Sequence, residues 1–254
     1  MLTEVLDDLR AEAQDLRAHV AAAELDLAVP ADPWDVRDTV SHLVVGDDKA
    51  LLAAIDPDAF AAELPAVMAD PVGFMASWLT LGHGLTKEAL LSRWDEGLER
   101  LVGALATVPA GTRLPWYGPP MSPLSMATAR LMEYWAHGQD VVDALGVRRE
   151  PTARLKHICH LGFRTRGFSY AVRGLDVPAG EVRVTLAAPD GSTWEWGSGD
   201  DAVVGSAEGF ALRVTQRRHR DDTDLKATGP LADDWLDKAQ CFAGLPTEGR
   251  EAQS

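Results

Sequence analysis

Glu133 and His137 stand four residues apart in the run Ala129-Arg130-Leu131-Met132-Glu133-Tyr134-Trp135-Ala136-His137-Gly138-Gln139-Asp140. The run reads as helix, so both side chains leave one face a single turn apart. Leu131, Met132, Trp135 and Ala136 supply the apolar surface that carries this face into a core. A carboxylate and an imidazole side by side in a core are costly unless they pair or bind a metal. Glu-x-x-x-His can grip one divalent cation, though it is equally an ordinary Glu–His link on a half-buried helix. His42 lies among Val40, Leu43, Val44 and Val45 and therefore faces inward. Singly, it reads as a core histidine satisfied by a backbone carbonyl. Asp140, three residues after His137, could orient a ligand imidazole from behind, or be a plain surface aspartate.

Two further groups could bind a ligand. Arg217-Arg218-His219-Arg220 is a basic patch in an acidic chain. It is either a helix C-terminus neutralised by Asp221, Asp222 and Asp224, or a guanidinium clamp for a ligand carboxylate. Trp116, Tyr117 and Met121 sit in the Pro115–Pro123 loop, which is either a pocket wall or a cap on the core. His157, Cys159 and His160 resemble a metal cluster, but on a helix Cys159 points away from both histidines.

The elements that position these residues follow from periodicity. Helical spacing runs from Leu2 to about Ala23, through Val5, Leu6, Leu9, Ala13, Leu16 and Val20. After a turn at Ala31–Asp35, a second helix starts near Asp38 as its cap and carries His42. The stretch from Asp56 to Pro71 is an acidic, Ala/Pro-rich connection, ending in a short helix around Phe74–Trp78. A third helix runs from about Thr86 to Ala106, with His83 exposed in the turn before it. The helix of Glu133 is the fourth. Four such helices predict an up-and-down bundle in which His42 can meet Glu133 and His137 at the centre. Two imidazoles and one carboxylate leave a tetrahedral cation one open position, the layout of catalytic rather than structural zinc.

Past Gly146–Pro151 the texture changes. One helix from about Ala153 to Val172 precedes strands at Val182–Leu186, Thr193–Trp196 and Val203–Gly205, with Asp190-Gly191 as a hairpin turn. A helix capped by Ser206 runs into the arginine cluster, and a strand at Leu225–Thr228 and a helix from Leu231 to Phe242 follow. The expected fold class is α+β: a helical metal-binding bundle over 1–150, then a linking helix and a small α+β domain over 151–254.

Composition narrows the function. The formal charge of −15, from 24 basic and 39 acidic residues, disfavours nucleic acid and anionic membrane as partners. Cys159 and Cys241 do not make a disulfide framework. The acidic, amphipathic start is unlike a signal peptide, and no apolar run is long enough to span a bilayer. The expectation is a soluble, cytoplasmic protein of unknown oligomeric state.

Trp34, then Asp38-Thr39-Val40-Ser41-His42-Leu43, then Glu133-x-x-x-His137-x-x-Asp140 resembles the DinB-like metal-binding fold. More closely, the pattern resembles the mycothiol-dependent maleylpyruvate isomerase family of actinobacteria. The resemblance covers the N-terminal 150 residues and implies that His42, Glu133 and His137 bind zinc, or another divalent metal. The region from Val182 to Ala243 is similar, more loosely, to the family's small domain, whose arginine reaches the active site. Here that arginine is Arg217, with Arg218 the other candidate. Trp116 and Tyr117 would line the substrate side. A thiol entering the open position loses its proton near neutral pH. The resemblance implies that mycothiol, as co-substrate, adds to or is transferred onto an unsaturated, acidic organic substrate. The activity would be that of a cis–trans isomerase or a thiol S-transferase. Two alternatives stand beside it: a metal-dependent hydrolase using bound water, and a non-enzymatic metal-binding domain.

Overall fold

Aspartates cap three helices of the N-terminal half. The computed structural model describes residues 1–253, and its contacts divide the chain into two units, Met1–Arg148 and the remainder from Arg149. In the first unit α1 spans Leu2–Ala22 and buries the stripe Val5, Leu6, Leu9, Ala13, Leu16 and Val20. Helix α2 spans Val36–Ile55. Its cap is Asp35 rather than the expected Asp38. Asp35 accepts from the Asp38 amide, and Asp38 reaches back to the Asp35 amide in a capping box.

The connection after α2 is itself helical, and the short helix expected around Phe74–Trp78 is part of a longer one. α3 spans Pro57–Ala69 and α4 spans Pro71–His83. Each opens with an Asp-Pro pair: Asp56 and Asp70 cap, and the prolines occupy first-turn positions where a missing N–H costs nothing. α5 (Lys87–Thr107, capped by Thr86) and α6 (Pro123–Leu145, capped by Ser122) lie close to their expected bounds. α6 stops at Gly146, whose φ of 64° is the left-handed conformation of a helix C-terminus.

Helices α1, α2, α5 and α6 form the four-helix bundle, with α3 and α4 packed on α2. Its core joins Leu9, Leu43, Leu90, Trp94, Leu101, Leu131 and Tyr134, all nearly inaccessible to solvent. Gly82 lets α4 approach α2 closely. A side chain there would strike Ser41 and Arg37, and the Gly82 amide instead donates to Ser41 Oγ at 3.0 Å. Among the described residues no single helix is long and apolar enough to cross a membrane.

The second unit is mixed. What reads in sequence as one helix is two, α7 (Leu155–Arg164) and α8 (Arg166–Ala171), broken at Thr165. Strands β1 (Val182–Ala187), β2 (Thr193–Trp196), β3 (Asp201–Ser206) and β4 (Lys226–Thr228) form a sheet of order β2-β1-β3-β4. β1 pairs antiparallel with β2 and parallel with β3. Ser206 caps α9 (Ala207–Val214), and α10 spans Pro230–Lys238, shorter than the expected run to Phe242. The fold class is therefore α+β, a DinB-like four-helix bundle followed by a smaller α+β region.

Candidate metal centre

Helix α2 brings His42 and α6 brings Glu133 and His137 to one point. One ligand atom from each lies within 4.8 Å of the others. Glu133 Oε2 sits 3.5 Å from Nε2 of His42 and 3.5 Å from Nε2 of His137. Both histidines are buried, and the Glu133 side chain keeps 22% exposure. Burial pushes the His42 pKa down to about 4, against a smaller opposing pull from Glu133, so the ring is neutral at pH 7. Burial pushes the Glu133 carboxyl up, but its contacts with His137 and then His42 outweigh this and hold it well below the ordinary range.

Asp140 is fully buried, and its Oδ2 lies 3.1 Å from His137 Nδ1. A carboxylate accepting from Nδ1 leaves the lone pair of the neutral ring on Nε2, the atom that faces Glu133. His42 has no equivalent support, since its buried Nδ1 has no hydrogen-bond partner. Trp34 roofs both rings, 5.1 Å from His42 and 5.5 Å from His137 between centroids.

The Pro115–Pro123 loop packs against α3 and α4. Trp116 stacks on Phe60 at 5.7 Å, while Tyr117 touches Phe60, Phe74 and Trp78. Trp78 in turn lies 5.5 Å from His42. The loop thus ends an aromatic wall that reaches the cluster through a residue of α4. The sequence places Trp78 in a short helix, but no local spacing ties it to His42 on another helix. Its indole N–H and the Tyr117 hydroxyl are buried without partners. Burial, helped by Glu63, pushes the Tyr117 pKa up.

Behind the ligands lies a second group that periodicity did not single out: Asp47, Trp94, Arg130 and Tyr134, all at most 3% exposed. Arg130 Nε donates to Asp47 Oδ1 at 2.9 Å, and Tyr134 donates to Asp47 Oδ2 at 2.5 Å.

In the second unit the arginines expected at a helix end lie beyond it, because α9 stops at Val214. Arg217 and Arg218 are half-buried, and their Nη1 atoms donate to the carbonyls of Thr215 and Arg217 at 2.7 and 2.8 Å. Arg220 does not use the aspartates beside it. It pairs with Asp233 at 2.6 Å and Asp237 at 2.7 Å on α10. His219 pairs locally, with Asp221. Cys159 and Cys241 are buried and in no disulfide, and burial raises the Cys159 thiol pKa, so it offers no ready thiolate.

Comparison with known proteins agrees with the fold. The family model of the mycothiol maleylpyruvate isomerase N-terminal domain matches residues 6–142, a span that holds His42, Glu133 and His137. An uncharacterized protein of Mycobacterium tuberculosis, found in two strains, is 46% identical over 248 residues, 96% of each chain. A crystal structure of the mycothiol-dependent maleylpyruvate isomerase superposes with a TM-score of 0.60, covering 91% of this chain and 96% of that one. A histidine-to-alanine mutant of that isomerase matches with the same score and coverage. At 13 and 14% identity these two matches are likenesses of fold.

Proposed function

Because the chain belongs to the mycothiol maleylpyruvate isomerase N-terminal domain family, we propose that it is a metal-dependent enzyme. In this reading it activates a small-molecule thiol, mycothiol, for addition to or transfer onto an unsaturated, acidic substrate. The observation that carries the proposal is Glu133 Oε2 flanked at 3.5 Å by two imidazole Nε2 atoms. Ligands at about 2.0–2.1 Å from a tetrahedral cation stand about 3.3–3.4 Å apart, so the two Glu133–imidazole separations already approach the edges of such a polyhedron. The donor set fits zinc and accepts other divalent cations of similar size.

When bound, the cation would supply the charge that lowers the pKa of a thiol brought to it. The residues do the rest. Neutral His42 and ionised Glu133 present free lone pairs at pH 7 without first shedding protons. Asp140 holds His137 in the tautomer that turns Nε2 toward Glu133. Trp34, Trp78, Tyr117 and Trp116 keep water from one side and offer an apolar surface to the bodies of thiol and substrate. We assign the substrate carboxylate to Arg217, with Arg218 beside it, for the charge and fork geometry of a guanidinium. The nucleophile comes from outside the chain, since both cysteines are buried.

The test is turnover of maleylpyruvate and related unsaturated acids by the metal-loaded chain, with and without mycothiol. The expected result is turnover that needs both thiol and metal. Arg217→Ala should raise KM for the acid about tenfold at unchanged metal content, the size of one lost charge-assisted hydrogen bond. Turnover without any thiol would point instead to water as the attacking group.

A further inference from the structure

Four buried side chains join three helices behind the ligand cluster in one line of hydrogen bonds. Trp94 Nε1 on α5 donates to Tyr134 Oη on α6 at 2.6 Å, and Tyr134 donates to Asp47 on α2 at 2.5 Å. Asp47 also accepts from Arg130 Nε at 2.9 Å, and Arg130 Nη2 donates to the Leu43 carbonyl at 3.1 Å. Three residues along the line are neighbours of the ligands. Tyr134 follows Glu133 in sequence, Leu43 follows His42, and Arg130 lies one turn before Glu133.

Such a group is a poor device for stability alone, because a buried ion pair replaced by apolar residues of like volume is often no less stable. What it supplies is register. The apolar ridges of α2 and α6 are Val, Leu and Met, which pack in more than one alignment, whereas a guanidinium bonded to one carboxylate and one carbonyl accepts a single alignment. Slippage by one turn displaces a helix by about 5.4 Å and would separate ligand atoms that now stand 3.5 Å apart. Gly46 is shaped for the same end. A Cβ there would lie 2.8 Å from Arg130 Nη1 and 2.9 Å from Nη2, so the guanidinium sits where a side chain would stand. Glycine is otherwise disfavoured inside a helix.

We propose that Asp47, Arg130, Tyr134 and Trp94 are positioning residues that set where His42 meets Glu133 and His137, with Gly46 as their seat. The proposal rests on the reading that these three ligands hold a cation. The test uses Co2+ as probe in the full chain, reading affinity and the visible d–d absorption band, with circular dichroism and melting as controls. Two variants are compared with wild type: Gly46→Ala, which keeps every hydrogen-bonding group but occupies the seat, and the pair Asp47→Leu with Arg130→Met, which leaves no unpaired charge. Each folded variant should bind Co2+ about tenfold more weakly or worse, with the band shifted and changed in intensity, as for other residues that orient ligands from behind. Wild-type affinity and an unchanged band in a folded variant would overturn the proposal alone. Unfolding of both variants would overturn it too, making the group a determinant of fold rather than of ligand placement. A wild-type chain that takes up no Co2+ would overturn the metal reading and this proposal with it.

Discussion

Two buried arginines show how differently the two units use the same side chain. Arg130, in the bundle, is 3% exposed and bonded to the Asp47 carboxylate and the Leu43 carbonyl. Burial alone would lower its pKa, but Asp47 and then Glu133 outweigh that and raise it. Arg213, in the small unit, is 2% exposed and bonded to two carbonyls at the end of α10, Leu236 at 2.6 Å and Asp237 at 2.7 Å. Its Nη1 has no partner, and burial lowers its pKa to about 10. A charge neutralised by a carboxylate and placed behind a ligand cluster is a device for geometry. A charge spent on the orphan carbonyls of a helix end is a device for closing that helix.

The largest expected effect breaks the second half of this comparison. Arg213→Met leaves two carbonyls without their donor, at about 1–3 kcal/mol for each buried group. We expect a loss on the order of 3 kcal/mol in the small unit's unfolding by urea, at unchanged metal content. If the bound metal fell in step with the small unit's stability, the two arginines would serve one purpose and the contrast would fail. A smaller effect sharpens the first half. Asp140→Asn keeps shape but removes the carboxylate that holds the His137 tautomer. Metal affinity should fall about tenfold to a hundredfold, not to nothing, as titration against a chelator would show. Complete loss would make Asp140 itself a ligand.

The same contrast explains what could be read from sequence. The Glu133–His137 face was legible because helical spacing alone places i and i+4 together among apolar residues, and His42 because its neighbours are Val and Leu. Helix α3 was not, and α4 only around Phe74–Trp78, since Pro65 and the alanines of that stretch look irregular until Asp56-Pro57 and Asp70-Pro71 are read as cap and first turn. Asp47 and Arg130 form no legible pair because they lie 83 residues apart, and no local pattern records that pairing. Their signal was a charged residue on the inward face of an otherwise apolar helix, with Gly46 beside its partner. In the small unit Arg220 went to Asp233 and Asp237 rather than to Asp221, Asp222 or Asp224. Neighbours in sequence are poor guides where the chain turns instead of continuing a helix.

The central claim is that His42, Glu133 and His137 together hold one divalent cation. Elemental analysis of the purified chain beside His137→Ala tests it most directly, with melting curves confirming that both are folded. The account predicts about one equivalent of metal in the wild type, and almost none in the variant, where a tetrahedral site would keep too few protein ligands. Equal metal content in the two proteins would contradict it.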